Sequence, residues 1–412
     1  MQTEVPFYRP DIREAEIQEV VAALRSGWLT TGPRVKQFEQ TFANAVGAPH
    51  AVALNSCTAA LHLAVHALGL RPGDGVLVPA LTFAATAEVI RYEGGIPILV
   101  DCDPVTLNID LVQAERTTNS LRSGGSLAGL PRDLPVVGII PVHVGGMMLN
   151  IDDVNAFAAR NNLWVIEDAA HAFPAAWRRK PEDAWQQCGQ QTAAISCFSF
   201  YANKTITTGE GGMAVTADAE LAARMRLLSL HGLSHDAWGR YSGGGSWDYR
   251  ILAPGYKYNM TDVAAAIGIH QLARGEEMRC TREAIAEEYR HRLADVAEIE
   301  LPPNDTNRIH SWHLFPIRLR LETLAIDRNA FIRELNQEGV SCSVHWRPLH
   351  LHPYYQETFG WSPDDLPVAS AVWTRLTSLP LFSTMSQLEI DAVVDAVRAT
   401  CGRSSRRLTV TR

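Results

Sequence analysis

The segment SCFSFYANKTITTGEGGM, residues 196–213, joins a strand-like run, a lysine and a glycine-rich turn. The apolar first part is typical of a buried strand that delivers Lys204 into a loop. Gly209, Gly211 and Gly212 follow directly and allow the backbone to turn tightly and to approach a ligand. A lysine in a loop is usually a solvated charge. In an apolar pocket its charged form is disfavoured, so the segment predicts that Lys204 is a nucleophile toward an aldehyde.

A second motif, LWVIEDAAHA at residues 163–172, places a carboxylate after a short apolar strand. Asp168 lies just past the predicted carboxyl end of that strand, which is where ligands bind in open α/β sheets. There it could pair with a protonated ring nitrogen or, alternatively, cap the segment that follows. His171 comes three residues later and could face the same ligand.

A third motif, NSCTAALHLAVHAL at residues 55–68, predicts the start of an apolar helix. Ser56, Cys57 and Thr58 precede that helix, and the free N–H groups of a helix start with hydroxyls beside them form an anion site. A plain Ser/Thr cap is the alternative. His62 and His66 share one helix face, but the H-E-x-x-H pattern is absent, so we predict no metal.

Together the three motifs supply the parts of a pyridoxal-phosphate (PLP) site, in order along the chain. They are a phosphate anchor, a carboxylate for the ring nitrogen and a lysine that traps the aldehyde. PLP needs such a carboxylate because a protonated pyridine ring is the better electron sink. The sequence therefore predicts PLP as the cofactor.

Helical and strand patterns alternate over the first two-thirds of the chain, which indicates an α/β sheet, mostly parallel and covered on both faces. Near residue 275 the pattern changes to a long charged helix, 276–296, followed by a predicted strand at 313–320, a helix at 327–338 and a strand at 341–345. We therefore expect a large domain at residues 1–275 and a smaller α+β domain at residues 276–412.

Composition narrows the class of protein. The chain has 412 residues, 46% of them hydrophobic, and a formal net charge of -8, so no basic excess indicates nucleic-acid binding. Its seven cysteines are scattered, and they form no C-x-x-C pair, which favours a reducing compartment. No signal-peptide pattern or bilayer-length apolar run is present, so we expect a cytoplasmic protein with no membrane contact.

With these motifs in view, the sequence resembles the DegT/DnrJ/EryC1/StrS family of sugar aminotransferases. The resemblance runs from roughly residue 5 to 400 and is carried by the three motifs and by GWLTTGP (27–33), TFAATAEVI (82–90), PVHVGG (141–146), GYKYNMTDVAAAIG (255–268), WHLFPIRL (312–319) and SLPLF (378–382). It implies an aspartate-aminotransferase-like fold (PLP fold type I), with a large mixed-sheet α/β domain and a smaller C-terminal α+β domain. It also implies a homodimer with a shared active site.

The resemblance implies roles for particular residues of this sequence. Lys204 corresponds to the Schiff-base lysine and Asp168 to the partner of the pyridine nitrogen. His171 stands where many relatives have Gln and would approach the ring. The remaining cofactor contacts implied are Phe83 stacked on the ring, Ser56, Cys57, Thr58 and Ser199 at the phosphate, and Asn259 reaching the phosphate from the partner subunit. Relatives often read GYNYRM here, which leaves Lys257 as an alternative to Asn259.

The resemblance also implies the reaction. L-glutamate would give its amino group to the cofactor, which would pass it to a nucleotide-linked keto-sugar in a ping-pong cycle. Family members acting at C3 tend to carry a G-x-N-S-R-L-D sequence, whereas GYKYNMTD (255–262) is closer to the C4 enzymes. We therefore expect a 4-keto-6-deoxyhexose linked to dTDP, UDP or GDP. Thr31, His345 and Arg347 are candidate substrate contacts, with a structural role as the alternative for each.

Other functions remain open at this point. A cyclitol (inosose) aminotransferase acts on a similar polyhydroxy ketone, and a C3 keto-sugar aminotransferase shares the motifs. A related group of PLP-dependent sugar dehydratases has His in place of the lysine, so Lys204 disfavours that reaction. A non-catalytic sensor would not need the lysine, the carboxylate and the phosphate loop together.

Overall fold

The computed structural model describes residues 3–125, 127–190, 193–234 and 249–406. The helices of these residues are α1 (Glu14–Ser26), α2 (Pro33–Val46), α3 (Cys57–Ala67), α4 (Ala85–Tyr92), α5 (Leu111–Arg122), α6 (Ile151–Asn161), α7 (Ala219–Leu228), α8 (Asp262–Ala273), α9 (Gly275–Arg292), α10 (Arg328–Gln337), α11 (Pro353–Phe359), α12 (Pro367–Trp373) and α13 (Gln387–Ser404). The strands are β1 (His50–Leu54), β2 (Gly75–Pro79), β3 (Ile96–Val100), β4 (Val136–Ile139), β5 (Trp164–Asp168), β6 (Ala176–Trp177), β7 (Gln186–Gln187), β8 (Ile195–Ser199), β9 (Gly212–Thr216), β10 (Ile299–Glu300), β11 (Arg308–Ile309), β12 (Phe315–Leu319) and β13 (Leu376–Leu379).

A seven-stranded sheet in the order β1-β9-β8-β5-β4-β2-β3 forms the centre of the fold. Strands β2 to β5 and β8 pair in parallel, whereas β9 is antiparallel to both of its neighbours. The predicted large mixed sheet is therefore confirmed, and β9 is the strand that makes it mixed. Helices separate most of its strands along the chain, which is the connection that parallel strands require.

The direction of the strands decides where the predicted site residues lie. Strand β5 ends at Asp168 and β8 ends at Ser199, so both residues lie at the carboxyl edge of the sheet. Strand β1 ends at Leu54, two residues before Ser56, on the same edge. Because β9 runs in the opposite direction, its first residue, Gly212, lies at this edge too and pairs with both Leu54 and Ser199.

Two hydrophobic clusters form the core of the described residues. The larger one surrounds the seven-stranded sheet and includes a group of packed rings, with Phe42 in contact with Phe38, Phe173, Phe198 and Phe200. The smaller one packs α9, α10 and α13 against a three-stranded sheet in the order β10-β12-β13. The smaller cluster also contains Val5, from the start of the chain. The domain boundary between residues 275 and 276 stays a prediction.

The predicted strand at 341–345 is wrong. Only Ser343 forms an antiparallel bridge, to Ser378 next to β12 and β13, and the residues on either side of it do not continue the ladder. Two residues later the side chains of His345 and Trp346 line a cavity at the carboxyl edge of the large sheet. The chain leaves the sheet at this point and continues along the cavity wall.

In the part of the chain that the structure describes, each helix is either too short or too polar to span a lipid bilayer.

Candidate active site

A cavity of about 340 Å³ opens at the carboxyl edge of the large sheet. It brings together most of the residues that the sequence predicts for the cofactor and the substrate. Those lining it are Ser56, Cys57, Thr58, Phe83, Asp168, His171, Ser199, Lys204 and His345. They come from segments far apart in sequence, and the common strand direction places them at one edge.

Lys204 follows β8 in a turn in which its N–H donates to the carbonyl oxygen of Tyr201 at 2.9 Å. Its Nζ lies 3.3 Å from Nε2 of His313. Burial lowers the pKa of the Lys204 amine from 10.5 to about 8, while the carboxylate of Asp168 acts in the opposite direction. A larger fraction of the amine is therefore unprotonated near neutral pH than in an exposed lysine, as a nucleophile requires.

Asp168 is a buried carboxylate with neutral hydrogen-bond donors. Its Oδ2 accepts from Thr86 Oγ1 at 2.8 Å, and its Oδ1 accepts from the N–H of Ala170 at 3.1 Å. Burial raises the pKa of Asp168, and the hydrogen bond from Thr86 lowers it. No lysine, arginine or histidine of the described residues forms a salt bridge with it. A protonated ring nitrogen at this position would give the carboxylate the cationic partner that it lacks.

Helix α3 begins at the same edge, where the sequence predicts an anion site. The hydroxyl of Ser56 accepts a hydrogen bond from the N–H of Ala59 at 3.0 Å, so it caps the helix, while the hydroxyl-bearing Thr58 and the thiol-bearing Cys57 line the cavity. The cap interpretation of the third motif is therefore confirmed for Ser56, and the binding of an anion by this segment stays a prediction. The first N–H groups of a helix lack partners within the helix and favour a phosphate.

Gly212 allows the backbone of β9 to lie directly against the start of α3. A Cβ atom at Gly212 would come within 2.3 Å of the Ser56 carbonyl carbon and 2.5 Å of the Cys57 nitrogen. These neighbours are backbone atoms, which cannot move aside as a flexible side chain can. The glycine noted in the first motif is therefore required for the close approach of β9 to the start of α3, where the sequence predicts a phosphate site.

We expect Gly212→Ala to weaken the binding of PLP by about 5- to 150-fold, since overpacking of this kind costs about 1–3 kcal/mol. The measurement is titration of the apoenzyme with PLP, followed by absorbance. Gly402→Ala is the matched control, because a Cβ atom there would meet no atom within 4 Å. Equal PLP affinity of the Gly212→Ala protein and the control would contradict the assignment of the phosphate end.

His171 is a neutral hydrogen-bond donor toward the cavity. Its Nδ1 accepts from the N–H of Gly145 at 3.2 Å, so the proton of the neutral ring is on Nε2. Burial lowers the pKa of His171 well below its usual value, which keeps the ring neutral. Its ring stacks on that of Trp346, with the centroids 5.1 Å apart. The Nε2–H group can donate to a ring oxygen, as an amide would in relatives with Gln.

Phe83 is 61% exposed although it is a large apolar side chain at the mouth of the cavity. Most such side chains in the described residues are buried in the two clusters. A flat aromatic face at this place is suited to stacking on a planar ring. Phe83 is therefore not packed in the hydrophobic core.

Three predicted residues lie away from this cavity within one chain. Asn259 Nδ2 donates to Thr31 Oγ1 at 2.7 Å, and both residues line a second cavity of about 250 Å³. Arg347 donates to the carbonyl oxygen of Leu351 at 2.6 Å. The roles expected of Asn259 in the partner subunit and of Thr31 and Arg347 at the substrate stay predictions.

The cavity also contains residues to which the sequence gave no role, among them Tyr201, His313 and Trp346. His313 was placed inside a predicted strand, but β12 begins two residues later, at Phe315. His313 is the first residue of that predicted strand and part of the quoted WHLFPIRL motif, and its place in this motif is the signal that could have indicated it.

The two histidines of α3, His62 and His66, both contact the carboxylate of Glu93. Oε1 of Glu93 lies 2.9 Å from His62 Nε2, 3.0 Å from His66 Nδ1 and 3.1 Å from the hydroxyl of Tyr256. His62 Nδ1 lies 3.1 Å from the hydroxyl of Tyr258, whose ring stacks on that of Tyr256. Hydrogen bonds and ring stacking account for these contacts. The group, called the Glu93 cluster here, connects α3 to the segment 255–260 and consists of His62, His66, Glu93, Tyr256 and Tyr258.

A further group, His143, Glu167 and Cys188, has ligand atoms within 4.8 Å of one another. Both nitrogens of His143 have hydrogen-bond partners, the N–H of Leu149 at 3.2 Å and Oε2 of Glu167 at 2.8 Å. The other oxygen of Glu167 accepts from Ser196 Oγ at 3.0 Å. These hydrogen bonds form a buried polar network around Glu167, the residue before Asp168 in β5.

The model of the DegT/DnrJ/EryC1/StrS aminotransferase family matches residues 10–398. The chain belongs to this family. The spore coat polysaccharide biosynthesis protein SpsC of Bacillus subtilis is 44% identical over 395 residues, covering 96% of each chain. An uncharacterised protein of Methanocaldococcus jannaschii, MJ1066, is 42% identical over 394 residues, covering 96% of this chain and 97% of its own.

Solved structures agree with this assignment. The PLP form of Spr1654 from Streptococcus pneumoniae has a TM-score of 0.84 at 31% identity, covering 97% of this chain and 99% of its own. The sugar aminotransferase CalS13 of Micromonospora echinospora has a TM-score of 0.80 at 28% identity, covering 96% and 99%. The predicted fold and enzyme class are confirmed: this member of the DegT/DnrJ/EryC1/StrS family is a PLP-dependent aminotransferase with PLP fold type I.

Proposed function

We propose that this enzyme transfers the amino group of L-glutamate to C4 of a 4-keto-6-deoxyhexose linked to dTDP, UDP or GDP. The observation that carries the proposal is the position of Lys204 and Asp168 in one cavity whose far end is the start of α3. The sequence GYKYNMTD at residues 255–262 supports C4 over C3. SpsC, a relative over nearly the whole chain, is described as a spore coat polysaccharide biosynthesis protein, which supports a sugar substrate.

The residues of this chain fit PLP at each of its polar groups. The phosphate would be held by the N–H groups at the start of α3, with Thr58 and Ser199 beside them. Asp168 would keep the ring nitrogen protonated, and His171 would donate to the ring hydroxyl. When bound, PLP supplies an electron sink for the carbon that loses its proton. Phe83, an exposed large aromatic side chain at the mouth of the cavity, would stack on the ring.

Lys204 carries the proton chemistry in this proposal. Its amine would hold the cofactor through the cofactor's aldehyde group. As a free amine, with a pKa of about 8, Lys204 would move the proton at the reacting carbon of the amino donor and of the keto-sugar. His345, at the cavity wall, and Thr31 and Arg347, outside it, are the candidate substrate contacts.

We also propose that the enzyme works as a homodimer in the cytoplasm. Asn259 and Thr31 lie together outside the cavity of their own chain, with Lys257 beside Asn259, which supports a role in the cavity of the partner subunit. The seven cysteines are all free, which supports a reducing compartment.

The test is a panel of dTDP-, UDP- and GDP-linked 4-keto-6-deoxyhexoses incubated with the holoenzyme and L-glutamate. We expect at least one to gain an amino group at C4, detected by mass spectrometry and NMR. A 3-keto isomer and an inosose complete the panel. Amination of the inosose alone would replace the proposal with a cyclitol aminotransferase, and amination of the 3-keto isomer alone would overturn the assignment to C4.

A further inference from the structure

His313 is the closest polar neighbour of the reactive amine among the contacts described. Its Nε2 lies 3.3 Å from Lys204 Nζ, while its Nδ1 is buried and has no hydrogen-bond partner among the described residues. The side chain is only 5% exposed, and its ring centroid lies 4.2 Å from that of His171. The contact with Lys204 is therefore the one polar interaction that the described structure gives this buried ring.

The surroundings of His313 keep its ring neutral. Burial lowers the pKa of His313 well below its usual value, and Lys204, His171, Arg282 and His345 all act in the same direction. A protonated imidazole would lie beside these groups in a buried environment, where its positive charge is unfavourable. This makes His313 a poor proton carrier, so a role as a relay is disfavoured. A neutral imidazole, in contrast, can accept from an ammonium or donate to a free amine through Nε2.

We propose that His313 is a positioning residue for Lys204, holding its Nζ within the cavity whenever that amine is not bonded to the cofactor. The inference rests on the proposed function, in which Lys204 moves a proton between two carbons. A lysine side chain has four rotatable bonds, and a proton transfer needs one defined geometry. The bond to His313 restricts the amine to that geometry without supplying a charge of its own.

The first experiment measures the Lys204 amine in the apoenzyme, without activity. The full chain is acetylated with trace acetic anhydride over a series of pH values, and each lysine is quantified by peptide mass spectrometry. The sequence contains four lysines, at positions 36, 180, 204 and 257, so each is resolved, and the exposed Lys180 is the internal reference. The groups facing the Lys204 amine, besides His313, are Asp168, Cys57, His171 and His345.

In the wild-type protein we expect half-maximal labelling of Lys204 near its pKa of about 8. In His313→Phe the ammonium loses an acceptor, so we expect its pKa to fall by about one further unit. His313→Gln restores an acceptor and should reverse at least half of that fall.

The second experiment uses the holoenzymes. The rate of exchange of the glutamate α-hydrogen in D₂O should fall more than about tenfold in His313→Phe, with KM little changed, and recover in part in His313→Gln.

His310→Phe is the matched control, because His310 is a buried histidine of the same segment that stacks on Trp312 at 4.0 Å. We expect neither readout to change in it. If His313→Phe does not fold, His313→Leu is measured in the same way. Wild-type labelling and exchange in the His313 variants, or an equal fall in pKa in His310→Phe, would overturn the inference.

A separate measurement tests the proposed function on which the inference rests. Borohydride reduction of the holoenzyme fixes the cofactor to the lysine that carries it, and we expect the added mass on Lys204. Added mass on another lysine would contradict the proposed function. The acetylation of the apoenzyme would still report whether His313 holds the Lys204 amine, so the two failures are distinguishable.

Discussion

Lys204→Ala is expected to lower kcat by about 10⁴-fold, because the variant loses both the group that binds the cofactor aldehyde and the group that moves the proton. The side chain lies in the cavity, and its loss leaves the hydrogen bonds of Asp168 in place. The measurement is single-turnover release of 2-oxoglutarate from L-glutamate by the PLP-saturated enzyme.

In the wild type, the rate of this single turnover should rise with pH toward the Lys204 pKa of about 8, because the free amine is the active form.

Lys180→Ala is the matched control for this variant. Lys180 is exposed and lies outside the cavity, so its loss should change neither kcat nor KM. Lys204→Arg should be as inactive as Lys204→Ala, because a guanidinium stays charged and is not a nucleophile at these pH values. Amination at the wild-type rate by Lys204→Ala would show that another group performs the chemistry.

Asp168→Asn is expected to lower kcat by about 10²- to 10³-fold, which is the second largest effect. The amide has nearly the same shape and can keep the hydrogen bond from Thr86 Oγ1, now 2.8 Å long. It cannot hold a proton on the ring nitrogen, because it has no negative charge to stabilise the cationic ring. The measurement is kcat at saturating PLP, with PLP affinity determined in parallel.

The thermal stability of the apoenzyme distinguishes the loss of kcat in Asp168→Asn from a loss of folding. Because burial raises the pKa of Asp168, the folded apoenzyme disfavours its ionised form, and stability falls as the pH rises through the ordinary range of an aspartate. Asparagine has no such charge, so the Asp168→Asn apoenzyme should melt at no lower temperature than the wild type at neutral pH. Exposed Asp153→Asn is the control. A kcat of Asp168→Asn within about threefold of the wild type would contradict the assigned role.

The sequence predicted the parts of the site that follow a strong local pattern. Lys204 and Asp168 each come just after a buried strand, and Ser56 to Thr58 come at the start of an apolar helix, so short windows were sufficient to identify them. Parallel strands that end at one edge then bring these windows together.

The parts that the sequence missed depend on contacts between distant segments. Strand β9 pairs with β1 and β8, and its antiparallel direction is a property of the whole sheet that no single window contains. His313 meets Lys204 across 109 residues of sequence. The wrong strand at 341–345 has a β-like pattern, but its neighbours in the fold offer only the bridge from Ser343 to Ser378.

The Glu93 cluster has a consequence for exchanging parts between homologous enzymes. One carboxylate oxygen contacts His62, His66 and Tyr256, so the position of the loop at 255–260 depends on the helix that begins at the phosphate end of the cavity. A chimera that takes only this loop from another enzyme would separate Tyr256 from Glu93 and Tyr258 from His62. The unit of exchange is the loop together with Glu93 and the paired histidines, although Tyr256 is 163 residues from Glu93 and Tyr258 is 196 residues from His62 in the chain.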